Sequence, residues 1–203
     1  MVGSTRKAPY LKIELFELFD DPFVQSQFSR RNVIHVAALG RECQVPTAED
    51  GMSVYELVKN CPPLDTNSAY CNLLQCSHFA DTSVAAVLYG DDGEGKLVGF
   101  ISGYILPGKP DTLFIWQVAV SDQARGQGLA SRMIQHILQR ENCAQVRFIE
   151  TTITESNGAS WALFESAAQK LNAPLTRSVM FEKQLHFKGE HDSEMLVRIG
   201  PFG

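Results

Sequence analysis

Long apolar runs are missing from this chain. No stretch approaches the ~20 residues of a bilayer span, and the segment after Arg6-Lys7 lacks the apolar core of a secretory leader. A basic excess is missing as well: 18 Lys and Arg stand against 23 Asp and Glu, for a formal charge of −5, and no basic run stands out. Nucleic acid and membranes are therefore poor partners for it. Cysteine is sparse, five residues with no paired spacing, which suits reduced thiols in a cytoplasmic protein rather than a disulfide framework. Cys71-x4-Cys76-x-His78 has no second ligand pair to complete a metal site, so it reads as core thiols and no metal is expected.

What is present is enough for one core: 203 residues, 44% of them hydrophobic. Residues 1–32 scatter their apolar positions and read as a poorly tied N-terminal extension, so the domain is expected over residues 33–203. Val33–Val36 suits an edge strand. Thr47 is placed to cap a helix whose Val54, Leu57 and Val58 recur at helical spacing, and Cys61-Pro62-Pro63 stops it. A second helix runs to Phe79, with Asp65, Asn67 or Ser68 as its cap. The runs 85–89 and 97–105 flank a Gly/Asp turn and predict a hairpin. Strand 113–120, a helix to about Arg140, strand 146–152 and a helix over 156–171 with Ala162, Leu163, Phe164 and Ala167 inward follow. Strands at 176–181 and 195–199 close the chain as an antiparallel pair. This order fits an α/β (mixed α+β) domain: a central mixed, mostly antiparallel sheet with helices on both faces.

The centre of the chain is Leu113 to Ile134. An apolar segment ends in Val118-Ala119-Val120, passes through Ser121-Asp122-Gln123-Ala124, and enters a helix-period pattern through Arg125-Gly126-Gln127-Gly128-Leu129-Ala130. Glycines there let several backbone N–H groups converge on one anion at the start of a helix, where the dipole also favours negative charge. A Walker loop would need Lys-Ser/Thr after Gly128, and a dinucleotide fingerprint would need a third small residue and a later acidic one. What is left, Arg125-x-x-Gly128-x-Ala130 after a strand, resembles the pyrophosphate-binding signature of the Gcn5-related N-acetyltransferases. The resemblance implies acetyl-CoA as cosubstrate. It also implies a sheet whose fourth and fifth strands splay apart, so that Val118, Ala119 and Val120 can hydrogen-bond the pantetheine arm. Asn157-Gly158-Ala159-Ser160-Trp161-Ala162-Leu163-Phe164 is similar to that family's second coenzyme motif. Asn157 there is either a coenzyme ligand or a helix cap, and the Tyr that often protonates the leaving thiolate is replaced by Phe164.

Acetyl transfer to an amine needs a group that takes its proton, because an alkylammonium has a pKa of about 10. Five further stretches narrow the acceptor: 61–74, His78-Phe79-Ala80-Asp81-Thr82, 113–120, Glu150-Thr151-Thr152-Ile153-Thr154, and 186–201. Together they resemble the diaminobutyrate acetyltransferases of ectoine synthesis, over about residues 40–203. The resemblance implies L-2,4-diaminobutyrate as acceptor at its 4-amino group, and a homodimer. A doubly cationic metabolite needs carboxylates near its nitrogens. Asp65 with Tyr70, Trp116 as a pocket wall facing a cation, and Glu190 as second carboxylate are the expected acceptor residues. No general base is identifiable from sequence. The rivals are an acetyltransferase for another small amine and a non-catalytic acetyl-CoA-binding sensor.

Overall fold

The computed structural model describes residues 34–36, 41–62, 64–90 and 93–203, with only the backbone of 34–36 and Arg41; the extension expected over residues 1–32 lies outside these. Among the described residues, the main apolar runs become strands or helix faces. The strands are β1 (Ile34–Val36), β2 (Arg41–Gln44), β3 (Val84–Tyr89), β4 (Gly95–Ile105), β5 (Thr112–Val120), β6 (Phe148–Thr154), β7 (Leu175–Phe181) and β8 (Glu194–Ile199). The helices are α1 (Gly51–Lys59), α2 (Ala69–Ser77), α3 (Leu129–Leu138) and α4 (Gly158–Lys170). The strands form one sheet in the order β1-β2-β3-β4-β5-β6-β8-β7. All neighbours are antiparallel except β5 and β6. Because β2 was not expected, the fourth and fifth strands of the sequence reading are β5 and β6.

The sheet is sandwiched. On one face Leu129, Met133, Ile134 and Ile137 of α3 and Phe164, Ala167 and Ala168 of α4 cluster with Leu113, Ile115, Ile149 and Val197. On the other, Val54, Leu57 and Val58 of α1 and Cys76 of α2 cluster with Ala85, Phe100 and Ala119. Burial on both faces accounts for the near-continuous apolar runs of the central strands. Among the described residues no helix is long and apolar enough to cross a membrane.

Several local expectations are corrected. Ala162, expected inward, is exposed, and Ala168 takes its place in the core. Thr47 heads a 3-10 turn, Ala48–Asp50, rather than α1 itself, and its backbone N–H donates to the Asp50 carboxylate at 2.7 Å. Ser68 caps α2, accepting from the Cys71 N–H at 3.2 Å, which leaves Asp65 and Asn67 to other work.

Two departures from regular pairing open the site. β5 and β6 pair only at Thr112↔Phe148, Leu113↔Ile149 and Phe114↔Glu150, although both strands continue well past these residues. A slot therefore separates Ile115–Val120 from Thr151–Thr154. Its cause lies in the β4–β5 register, where Ser102 faces Gln117 but Gly103 faces Ile115. Trp116 is thus an extra residue, and such a bulge bends and twists the strand that carries it. It also changes the strand's alternation. Leu113 and Ile115 face α3 and α4 before it, Val118 and Val120 after it.

Candidate active site

On the α3 side of the slot lies a cavity of about 430 Å³ lined by Val118, Val120, Arg125, Gly126, Gly128 and Asn157 among others. Ser121 N–H donates to Val98 O at 2.9 Å, so by antiparallel alternation Ser121 and Ala119 bond β4, while Val118 and Val120 turn N–H and C=O toward the slot. The Val120 carbonyl is already engaged, accepting from the Cys61 thiol at 3.4 Å and from Arg125 Nε at 3.0 Å. Ala119 is buried and turned to the α1 side, so its contribution to the slot is limited to its place between the two valines.

The turn into α3 has the geometry of an anion cradle. Gly126 and Gly128 hold φ values of +71° and +69°, a region that side chains with a Cβ rarely adopt. A Cβ on Gly126 would meet nothing within 4 Å, and one on Gly128 only Arg132 Nη1 at 3.6 Å. These positions are therefore bare toward solvent, as a bound diphosphate requires. The first ladder bond of α3 is Arg132 N–H to Gly128 O. The N–H groups of Leu129, Ala130 and Ser131 thus sit ahead of it at the positive end of the helix. Gln127 folds back on the turn, its Nε2 donating to Gln123 O at 3.0 Å. Arg125 pairs with Asp122 at 2.7 Å. Arg132, which sequence reasoning missed, donates to Gln127 O at 2.7 Å, and its buried Nε has no protein partner. A second cation thus stands beside the cradle. Asn157 is a cap, its Oδ1 accepting from Ser160 N–H at 3.1 Å, and it also lines the cavity; the two readings of it are compatible.

On the opposite, α1 side the expected acceptor residues divide. Trp116 is half exposed and packs edge-on against Phe79, with Tyr104 and Phe114 continuing the aromatic wall. Asp65 is exposed in the loop between α1 and α2. Tyr70 is 69% exposed in the first turn of α2, and Glu190 is exposed in the β7–β8 connection.

A further acid is Glu194, at the start of β8 opposite Thr154. Burial pushes its carboxyl above the usual range. A hydrogen bond from the Thr152 side chain pulls it down, and the charge of Asp65 pushes it up again. Asp65 and Glu194 are therefore near enough for the charge of one to be felt by the other. The pair was not legible in sequence because it depends on β8 lying against β6. Neighbouring Glu150 is buried and held by Arg198 and, at 3.5 Å, by Lys109.

Four of the five thiols are disfavoured as nucleophiles. Burial pushes the Cys76 thiol up to about 12, and those of Cys43, Cys71 and Cys143 are raised by the same cause. Among the described residues no group of His, Cys, Asp and Glu is placed to hold a metal ion. The arrangement is a slotted sheet with an anion cradle on one face and acidic side chains on the other, suited to passing an acyl group through the sheet to an amine.

Comparison with known proteins gives the same picture. The sequence model of the acetyltransferase (GNAT) family matches residues 52–168. The L-2,4-diaminobutyric acid acetyltransferase of Methylotuvimicrobium alcaliphilum is 57% identical over 157 residues, which is 77% of this chain and 88% of that protein. The Halomonas elongata protein of the same name is 44% identical over 187 residues, 90% of this chain and 95% of that one. A solved structure of diaminobutyrate acetyltransferase from Paenibacillus lautus, in complex with L-2,4-diaminobutyric acid and coenzyme A, superposes with a TM-score of 0.74. Its sequence identity is 40%, with 80% of this chain and 96% of that chain covered.

Proposed function

Since the chain belongs to the acetyltransferase (GNAT) family, we propose that it transfers the acetyl group of acetyl-CoA to the 4-amino group of L-2,4-diaminobutyrate. The product is N4-acetyl-L-2,4-diaminobutyrate, the reaction of ectoine (compatible-solute) synthesis. The observation that carries this reading is the slot itself. It lies between a cradle of backbone N–H groups at Gly126–Ser131 and a face where the charges of Asp65 and Glu194 influence each other. Two acids on separate elements suit a dication better than a monoamine.

Acetyl-CoA supplies an activated acyl carbon, so that the amine lone pair forms the C–N bond as the C–S bond breaks, and one proton is released overall. The cradle with Arg125 and Arg132 holds the diphosphate, Asn157 and the Val118–Val120 edge hold the arm, and the Val118 N–H is placed to stabilise charge on the carbonyl oxygen. Glu194 takes the proton from the reacting nitrogen. A carboxyl pushed upward by burial is a better base near neutral pH than an ordinary glutamate. Asp65, with Tyr70 and Trp116, holds the substrate, and Glu190 closes the pocket from the β7–β8 connection. Phe164 is buried and carries no hydroxyl, so thiolate departure proceeds without a phenolic donor from α4.

Residues 33–203 constitute the catalytic domain, working in the cytoplasm as a homodimer. Supporting the dimer, β7 is an edge strand exposed along nearly its whole length, with Val179, Met180 and Phe181 uncovered. A second copy of this chain is the partner that such an edge fits. The test is thiol release by the purified protein with each acceptor, followed by NMR of the product. Thiol release with diaminobutyrate and acetyl on N4 is expected. No release, or acetyl on the 2-amino nitrogen, overturns the reading, and acetyl-CoA binding without turnover would instead mark a sensor.

A further inference from the structure

Gln117 follows the bulged Trp116 directly and is 8% exposed. Both halves of its amide serve one loop: Oε1 accepts from Asn67 Nδ2 at 3.0 Å, and Nε2 donates to the main-chain carbonyl of Asp65 at 3.1 Å. That loop has little else to fix it. Leu64 packs against the core beneath α1, but Asp65 and Thr66 are exposed and the segment has no regular structure. A loop held at two points two residues apart cannot slide along β5 without breaking both bonds. The residue after Gln117 is Val118, which turns its backbone to the slot. One position therefore joins the strand that grips the coenzyme to the loop that presents a carboxylate to the acceptor.

We propose that Gln117 is a positioning residue, clamping the Asp65 loop onto β5 so that coenzyme occupancy of the slot fixes where the Asp65 carboxylate stands and raises acceptor affinity. The proposal rests on the acceptor role assigned to Asp65 above. Arm pairing along Val118–Val120 adds hydrogen bonds to a strand edge that otherwise lacks a neighbour, and an edge so held moves less. Through the clamp, the loop inherits that order. Linkage then makes the effect reciprocal: the acceptor tightens coenzyme binding by the same factor.

The experiment uses the full chain. Gln117→Leu keeps the volume but removes both bonds. It should raise the diaminobutyrate KM by about 10- to 100-fold, with kcat and the Kd of coenzyme A within about two-fold of wild type. Asn67→Ala leaves the sheet untouched, removes one bond, and should raise the same KM by about 3- to 10-fold. Because both act through one bridge, the double variant should be no worse than Gln117→Leu alone. Calorimetric titration of diaminobutyrate should give several-fold tighter binding in the presence of coenzyme A for wild type, and no such gain for either variant. The proposal is overturned by an unchanged KM, by additive effects, by coenzyme affinity falling in parallel, or by no coenzyme dependence in wild type. If Gln117→Leu does not fold, Asn67→Ala alone decides. A wild type inactive on diaminobutyrate removes the functional reading and this inference together, and is recognised before any variant is made.

Discussion

In the role proposed for it, Glu194 serves chemistry at some cost to folding. Its carboxyl is raised from the ordinary 4.5 first by burial, then by Asp65, against the hydrogen bond from Thr152. A folded pKa above the unfolded one means that the native state holds the proton more firmly. The associated stability is fully present below the unfolded pKa and is lost as pH rises from that value through the raised one. Above the raised pKa the fold therefore carries a carboxylate that is less well solvated than it is in the unfolded chain. Glu194→Gln should raise the Tm measured at pH 7.5, narrow the gap between that Tm and the value at pH 5, and lower kcat/KM by about 10²-fold. A lower Tm at pH 7.5, or an undiminished kcat/KM, would show that this carboxylate is structural. The neighbouring acid Glu150 makes a contrast, because its charge is answered by Arg198 and Lys109.

At the scale of the element, the strand–turn–helix from β5 through α3 was the most legible part of the chain. An apolar run, a glycine pair and a helix-period pattern each have one natural conformation, and they agree with one another. Gly128→Val tests the turn. A β-branched residue at φ +69° is strained by roughly 1–2 kcal/mol, and its bulk would occupy the bare space of the cradle. Isothermal titration should show coenzyme A binding weakened by more than about 10-fold, with diaminobutyrate binding nearly unchanged; equal coenzyme affinity would count against the cradle. Other elements were hidden for physical reasons. Arg41-Glu42-Cys43-Gln44 has no apolar alternation, and it becomes β2 only because β3 offers it a partner. Ala162 looked inward on a helical wheel whose Phe164, Ala167 and Ala168 in fact point to the sheet. Arg132 lay within an amphipathic pattern, and only the tight turn before α3 brings its head group back to the cradle.

For the whole molecule, the architecture was more legible than the acidic face, because a core is written in local periodicity while that face is assembled from distant segments. Asp65 acts on Glu194 from about 129 positions away in the chain, and the Gln117 hydrogen bonds span 50 and 52. Neither separation leaves a mark on composition or spacing. The same holds for association. The last edge strand carries Val179 at 51% exposure and Met180 at 40%, which a lone subunit would leave open to water. Val179→Asp should convert a dimer of the wild type into a monomer in sedimentation equilibrium, at a cost of more than about 1 kcal/mol per subunit from a charge buried at the contact. Equal masses for the two proteins would refute this use of β7.

The extra residue in β5 also separates what the backbone contributes from what side chains do. With a period of two, a pleated strand has something like a reading frame, and Trp116 shifts it by one. Removing Trp116 would restore unbroken alternation, leaving Val118 and Val120 opposite Ile101 and Gly99 but straightening β5 where it parts from β6. A substitution at 116 would leave the surplus peptide unit, and with it the bend, in place.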